Sequence, residues 1–276
     1  MGGDNRTNMH YLPLMANGRK LVPTFPWPLN TNQAPADHRR GKLFEKKLMA
    51  SIPREKLTEI CAQRTKSLIL DLLKSPNQFQ PLLERCTAGI SSQIAWANDD
   101  TVVALETLQR AHELVIGISP EATENKFPFL RMIPEWVPNY LQPWKVEELR
   151  RYERERSFWY GQRHIVRTNL QAKTASYSWT QENLTMENST LNEEEATYAI
   201  GMMALIGGTL VSSPIQSWFL AMCHYPEWQK RGQEEVDTVC GDRMPTADDI
   251  QNLPVVRAII REVFRWRSPV PYGMCI

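Results

Sequence analysis

The sequence has no marked excess of charge of either sign. Its 32 lysines and arginines against 31 aspartates and glutamates give a formal net charge of +1. Nucleic-acid binding needs concentrated positive charge, so this balance predicts that no nucleic acid is a partner. Cysteine is also scarce, and the five residues, at positions 61, 86, 223, 240 and 275, form no Cys-x-x-Cys pair. That spacing argues against a zinc site or a redox dithiol and indicates scattered reduced thiols in a cytosol-facing protein.

Other features that the sequence lacks exclude further classes of protein. The polar first residues, Met1 to Asn8, contain no apolar run of the kind that a secretory signal or an amino-terminal anchor requires. No segment shows the alternation of a half-buried strand, and no internal repeat is present. The composition, with 42% hydrophobic and 23% charged residues, is that of a globular protein. We therefore expect a mainly α-helical protein on the cytosolic side, with no membrane anchor in this chain.

Apolar residues at helical spacing predict that most of the chain is helical. In residues 54–74 the apolar side chains share one face, and Ser75-Pro76 ends the pattern. Similar patterns predict helices over residues 77–97, 101–117, 144–170, 226–239 and 254–266. Two stretches are predicted to be irregular: the Pro-rich residues 17–37, and the polar residues 171–190, which we expect to form an exposed connection.

The segment from Ala196 to Cys223 contains no charged residue. It follows Thr190-Leu-Asn-Glu193, which fits a capping box and predicts the start of a helix. The segment is long enough to span a membrane, but residues 212–217 are rich in polar groups and no Lys or Arg flanks either end. We therefore favour a helix that is buried on all sides. Its glycines would let a flat group or another backbone approach closely, at positions 201, 207 and 208.

An ordered series of motifs is far more specific than any one of them. The uncharged segment carries Ala204-Leu-Ile-Gly-Gly-Thr209, and Tyr225-Pro-Glu-Trp-Gln229, Gly241-Asp-Arg-Met-Pro-Thr246 and Glu262-Val-Phe-Arg265 follow it. Together these motifs resemble the haem-thiolate monooxygenases of the cytochrome P-450 family. The resemblance covers roughly residues 8–273 and is closest to fungal members of secondary metabolism.

The resemblance implies a partial cytochrome P-450 fold, a single incomplete domain over residues 1–276. The fold would run from the propionate-contacting helix to the Glu-x-x-Arg helix and would lack the proximal cysteine loop. The family binds haem, takes electrons from a flavoprotein reductase and oxidises apolar small molecules, so we expect these partners here. Glu262 and Arg265 would form the structural pair of the proximal side.

The resemblance also assigns candidate roles around the haem. Arg39 and Arg40 are candidate partners of a haem propionate by charge, although a solvated basic helix face is an equal interpretation. Gly207 and Gly208 are candidates for haem contact on the long helix. Thr209 is the catalytic candidate, because its hydroxyl would hold a water; the alternative is a hydrogen bond back to its own helix.

The sequence departs from the family pattern in several places. Residues 207–211 contain no acid beside the threonine, and the family's Phe- and Gly-rich cysteine loop is not found. Cys275 lacks the surroundings of that loop, so we expect no axial metal ligand in the chain. The Pro-rich residues 21–35 stand where the tryptophan of the propionate-contacting helix should lie.

Three functions therefore remain open. The first is oxygen insertion into an apolar small molecule by a haem-thiolate monooxygenase. The second is a catalytically inactive, truncated member of the same family. The third is a helical membrane or interaction protein that binds no haem. The uncharged helix supports the third function, and the ordered match to the family opposes it.

Overall fold

The computed structural model describes residues 35–118 and 136–269, together with residues 127 and 133, and every regular element in these ranges is helical. Ten α-helices lie in them: α1 (Pro35–Ser51), α2 (Arg54–Lys74), α3 (Phe79–Trp96), α4 (Thr101–Ile118), α5 (Pro143–Gln171), α6 (Trp179–Thr185), α7 (Glu193–Leu210), α8 (Ser212–His224), α9 (Pro226–Cys240) and α10 (Pro254–Trp266). Short 3-10 turns cover Pro76–Gln78, Asn139–Leu141 and Ala247–Asn252. The expectation of a mainly α-helical chain is confirmed. Of the predicted Pro-rich stretch, residues 17–34 lie outside the described part, and residues 35–37 begin α1.

The core forms around α7, which packs most extensively against α3 and also against α4 and α5. Its first three turns, Ala196 to Leu205, are buried on every side. Gly201 allows this packing, because a Cβ atom at that position would lie 2.4 Å from Cε2 of Trp159 on α5. Trp159 is fully buried and meets the Tyr198 ring edge-on, with 4.7 Å between centroids. The sequence predicted that a flat group or another backbone lies close to Gly201. In the structure that flat group is the indole ring of Trp159.

The start of α7 is capped two residues later than predicted. Asn192 is the N-cap: its side chain accepts from the Glu195 amide at 2.8 Å, and the Glu195 carboxylate accepts from the Asn192 amide at 3.0 Å. This is a reciprocal capping box. The Thr190 hydroxyl donates instead to the Arg40 carbonyl on α1, at 3.1 Å.

The polar residues 171–190 are not simply an exposed connection, which corrects that prediction. They contain α6, whose N-cap Ser178 accepts from the Gln181 amide at 3.1 Å. Thr180 and Asn183 on α6 are buried. The Asn183 side chain accepts from the buried Arg163 guanidinium of α5 at 2.8 Å, so polar residues fill this part of the interior as hydrogen-bond partners.

The uncharged segment forms two helices rather than one, because α7 ends at Leu210 and α8 begins at Ser212. Pro214 contributes to the interruption, since it has no amide to donate to the Leu210 carbonyl. Within the described residues, only Glu193–His224 is long and apolar enough to cross a membrane, and 61% of its most apolar window is buried in the fold. Burial of this kind is typical of a core helix.

Candidate functional site

Gly207 and Gly208 lie where α7 crosses α3. A Cβ atom at Gly207 would be 3.0 Å from Oγ of Ser91, and one at Gly208 would be 3.1 Å from the Cα of Ala88. Both distances are tighter than most Cβ contacts, so a side chain at either position would force its neighbour on α3 to shift by a few tenths of an ångström, and glycine avoids that shift. The structure therefore brings these two candidates against another helix.

Thr209 is hydrogen-bonded within its own helix. Its hydroxyl donates to the Leu205 carbonyl at 3.0 Å, the arrangement that the sequence offered as the alternative to holding a water. The Ser212 hydroxyl in turn donates to the Thr209 carbonyl at 2.7 Å. Both hydroxyl protons at the interruption are therefore committed to backbone oxygens.

An apolar groove runs between α8 and α10, beside the interruption. Its volume is about 590 Å³, and it is lined by Val211, Pro214 and Trp218 on one side and by Ile260 and Phe264 on the other. All ten residues that line the groove are apolar, and Phe264 remains 49% exposed. Burial of large apolar side chains is the main source of stability in folded chains, so an open groove of this composition favours an apolar occupant.

Glu262 and Arg265 meet on the exposed face of α10. Arg265 Nε donates to both carboxylate oxygens of Glu262, at 3.0 Å and 2.9 Å, and Nη2 donates to Oε1 as well. The guanidinium holds the pKa of Glu262 below its ordinary value by these hydrogen bonds. The side chains are 60% and 72% exposed, so the pair contributes little to stability in this setting.

A second cavity adjoins this ion pair. It measures about 480 Å³, and its walls include Tyr225, Trp228 and Trp266 together with Glu262 and Arg265. The Tyr225 and Trp266 rings are edge-on, with 6.5 Å between centroids. The sequence-predicted pair thus lies at the rim of an aromatic hollow between α8, α9 and α10.

The two arginine candidates lie on α1, far along the chain from the glycines. Arg40 Nε donates to the Thr190 carbonyl at 3.0 Å, and its Nη2 donates to the Glu195 carboxylate at 2.9 Å. These contacts join α1 to the capped start of α7. The side chain of Arg39 lies outside the described residues. The structure therefore gives Arg40 protein partners and does not bring it to Gly207 or Thr209.

The described residues do not by themselves fit a thiolate-ligated haem. Within 35–118 and 136–269 no group of three or more His, Cys, Asp or Glu side chains is placed to hold a metal ion. Burial raises the pKa of the Cys61 thiol, and it raises that of Cys86 to about 11. An iron-ligating cysteine must be a thiolate, which a raised pKa opposes. Cys275 lies outside the described residues.

The sequence did not identify Thr87, which donates from α3 to the Gly208 carbonyl at 2.6 Å. The same helix carries three small residues, Ala88, Ser91 and Ser92, and such a pattern indicates that another helix crosses closely. This pattern is the sequence feature that could have drawn attention to Thr87. Nothing in the sequence shows which carbonyl a buried threonine meets.

The part of the chain that the structure describes is all-helical, with a broken apolar helix beside a Glu-x-x-Arg helix. A family model described as Cytochrome P450 matches residues 34–274, so the chain belongs to the cytochrome P450 family. The predicted resemblance is confirmed, and the described helices are consistent with a partial fold of that family.

Fungal relatives extend this result. The chain is 27% identical to the cytochrome P450 monooxygenase virE of Hypocrea virens over 217 residues, which are 76% of this chain and 39% of the relative. It is 34% identical to psoD of Aspergillus fumigatus, covering 72% and 39% of the two chains. It is 33% identical to ple1 of Rhodocybe pseudopiperita, covering 76% and 41%. The chain thus spans about 40% of the length of the curated relatives it matches.

Proposed function

We propose that this chain forms the central helical part of a haem-thiolate monooxygenase of fungal secondary metabolism. The reaction would insert one oxygen atom into an apolar small molecule, with electrons from a flavoprotein reductase. The observation that carries the proposal is the placement of the broken apolar helix, α7 and α8, beside the Glu262–Arg265 pair of α10. The names of the fungal relatives, which are monooxygenases, support the reaction class.

Haem is the cofactor that membership of the family implies. Arg39, Arg40, Gly207 and Gly208 are our sequence-based candidates for haem contact. The contacts described above for Arg40, Gly207 and Gly208 are all with protein groups. Since the described residues do not fit the cofactor by themselves, we derive no catalytic step through it. We propose for Glu262 and Arg265 a role in holding the proximal side.

A catalytically inactive member of the family is the second candidate. Its support is the stretch 207–211, which has no acid, and the Thr209 hydroxyl, which donates to its own helix. A proton-delivering residue needs a group whose pKa lies near the working pH, and a threonine hydroxyl supplies none. This candidate keeps the fold and predicts no turnover.

One experiment separates the two candidates. The native transcript is sequenced, and its product is expressed with a fungal reductase and haem precursor. We expect a red-shifted Soret band of the thiolate type in the reduced carbon monoxide complex, and reductant-dependent oxygenation of apolar compounds. A product with the thiolate band but no oxygenation, or a product without haem, would support the inactive member and contradict the monooxygenase.

A matched pair of variants tests the role of Glu262 in the same product. Glu262 on α10 and Glu234 on α9 are each paired along their own helix and are 60% and 63% exposed. If Glu262 holds the proximal side, Glu262→Gln loses the thiolate band and Glu234→Gln keeps it. If both variants keep the band or both lose it, Glu262 acts only as one partner of an ordinary surface ion pair, and the proposed role on the proximal side is wrong.

A further inference from the structure

The Glu235 side chain on α9 reaches across to the first turn of α10. Its Oε1 accepts a hydrogen bond from the Val255 amide at 2.9 Å, and its Oε2 accepts one from the Val256 amide at 3.0 Å. One carboxylate therefore binds two neighbouring amides of another helix, with one oxygen for each. Hydrogen bonds to a charged acceptor are about twice as strong as those between neutral groups.

These two contacts complete the hydrogen bonding at the start of α10. The first four amide positions of a helix, counted from its N-cap, have no partner within the helix itself. At α10 the N-cap Leu253 donates its amide to the Ile250 carbonyl at 3.3 Å, and Pro254 has no amide to donate. The remaining two amides are those that Glu235 binds. Its negative charge also lies at the positive end of the helix dipole, where it is favourable.

Apolar packing fixes α10 on one side only. In this helix, which the structure describes in full, Val263 alone is buried, and Ile260 and Phe264 remain 45% and 49% exposed. Burial of apolar surface is the usual means of holding a helix in place, and α10 has little of it. We therefore expect its position to depend on the two hydrogen bonds at its first turn.

The attachment at the first turn also bears on the far end of α10. Glu262 lies seven residues after Val255, which is about 10 Å along the axis of a helix. Two hydrogen bonds to one carboxylate restrict rotation as well as sliding, so they determine where the later turns lie. In the last turn, the Trp266 ring is edge-on to that of Tyr225, with 6.5 Å between centroids. This ring contact reports the position of the far end.

We propose that Glu235 is a positioning residue, whose carboxylate docks α10 on α9 and thereby holds the Glu262–Arg265 pair in place. The neighbouring Glu234 has a different partner, Lys230 on its own helix at 3.9 Å. The relevance of Glu235 to the proximal side of a haem site rests on the proposed function. The attachment itself does not, and it is measurable in the chain without haem or reductase.

Glu235→Ala removes both acceptors, and two NMR measurements follow the result. Amide hydrogen exchange at Val255 and Val256 should become about tenfold faster or more, the factor that one hydrogen bond to a charged group supplies. The nuclear Overhauser contact between the Tyr225 and Trp266 rings should lose intensity, because the last turn of α10 is no longer held. Faster exchange with an unchanged ring contact would mean that Glu235 only caps the helix, and it would overturn the proposal.

Glu234→Ala is the matched control, since it removes the adjacent carboxylate, which pairs with Lys230 instead. It should leave both the exchange of the two amides and the ring contact as they are in the parent chain. If it changed them as much as Glu235→Ala does, the general charge of α9 would be responsible and the proposal would be wrong.

Glu235→Gln decides the matter if Glu235→Ala fails to fold. It keeps the shape and one acceptor oxygen, but its amide nitrogen cannot accept a hydrogen bond. We expect at least one of the Val255 and Val256 amides to exchange about tenfold faster, together with a weaker contact between the two rings. Protection of both amides at the parent level, or an unchanged ring contact, would overturn the proposal.

The product of the native transcript extends the test to the haem site. There Glu235→Gln should lower the share of the thiolate-type band in the reduced carbon monoxide complex, and Glu234→Gln should not. A parent level of the band in Glu235→Gln would overturn its role on the proximal side. A parent product without the band would instead contradict the monooxygenase, while the amide and ring measurements still decide the attachment.

Discussion

Replacement of Gly201 by alanine tests the packing at the centre of the fold. The new Cβ would lie 2.4 Å, 2.5 Å and 2.8 Å from three atoms of the Trp159 indole. Carbon atoms ordinarily pack at about 3.5–4.0 Å, so the indole or the helix must move by about 1 Å. Trp159 is fully buried and packed against Tyr198, and it has no flexible end that would yield.

The expected magnitude follows from two opposing contributions. Overpacking of a core costs about 1–3 kcal/mol, and an overlap of this size with a rigid ring lies at the upper end. Alanine in a helix gains about 1 kcal/mol over glycine. The net destabilisation of Gly201→Ala is therefore about 2 kcal/mol, which lowers Tm by about 4–8 °C for a chain of this size.

Gly161 on α5 provides the control, since a Cβ there would meet no atom within 4 Å. Gly161→Ala should raise Tm by a few degrees, because only the helix preference changes. Thermal unfolding followed by far-UV circular dichroism measures both variants. In a Trp159→Leu background, where the indole is gone, Gly201→Ala should become neutral or stabilising. If Gly201→Ala raised Tm as much as Gly161→Ala does, this account of the core would be wrong.

Three further predictions concern the whole chain. With added haemin, the chain should give no thiolate-type band in the reduced carbon monoxide complex; a band that Cys275→Ser abolishes would identify Cys275 as the ligand. Because apolar side chains line an open groove at α8 and α10, the folded chain should bind a hydrophobic dye, and dye fluorescence no higher than that of a control globular protein would contradict this. Hydrogen bonds from the Arg243 side chain and, to a smaller extent, from the Thr246 amide hold the pKa of the Asp249 carboxyl well below its ordinary value. The stability that this provides is present above about pH 4 and lost below it, so Tm of Asp249→Asn should fall less than that of the parent between about pH 5 and pH 3.

The sequence predicts helices well where local signals and burial agree. α2 and α10 have the predicted bounds, Arg54–Lys74 and Pro254–Trp266. Ser75-Pro76 ends the first, and Pro254 begins the second at a position where a missing amide costs nothing. In both helices the apolar face and the boundary residues indicate the same structure, so the sequence pattern alone is enough to predict where each helix begins and ends.

Prediction fails where a distant residue decides the outcome. Thr190 and Asn192 are both acceptable N-caps by residue type, and the Arg40 carbonyl of α1 takes the Thr190 hydroxyl. The close crossing of α3 and α7 includes a hydrogen bond between Thr87 and Gly208, residues 121 positions apart. Likewise, Arg40 has the charge of a propionate partner, but it binds Glu195, 155 positions away. Contacts at this separation depend on how the helices cross, which periodicity does not encode.

The pairing of α3 with α7 also has a consequence for synthesis on the ribosome. Thr87 and Gly208 are 121 positions apart, so α3 emerges about 6–24 s before its partner at usual rates of chain elongation. During that time the part of α3 around Ala88, which lies against Gly208 in the finished fold, has not yet met α7. The nascent chain therefore leaves this face of α3 uncovered until α7 is made, and exposure of that kind favours chaperone capture and early aggregation.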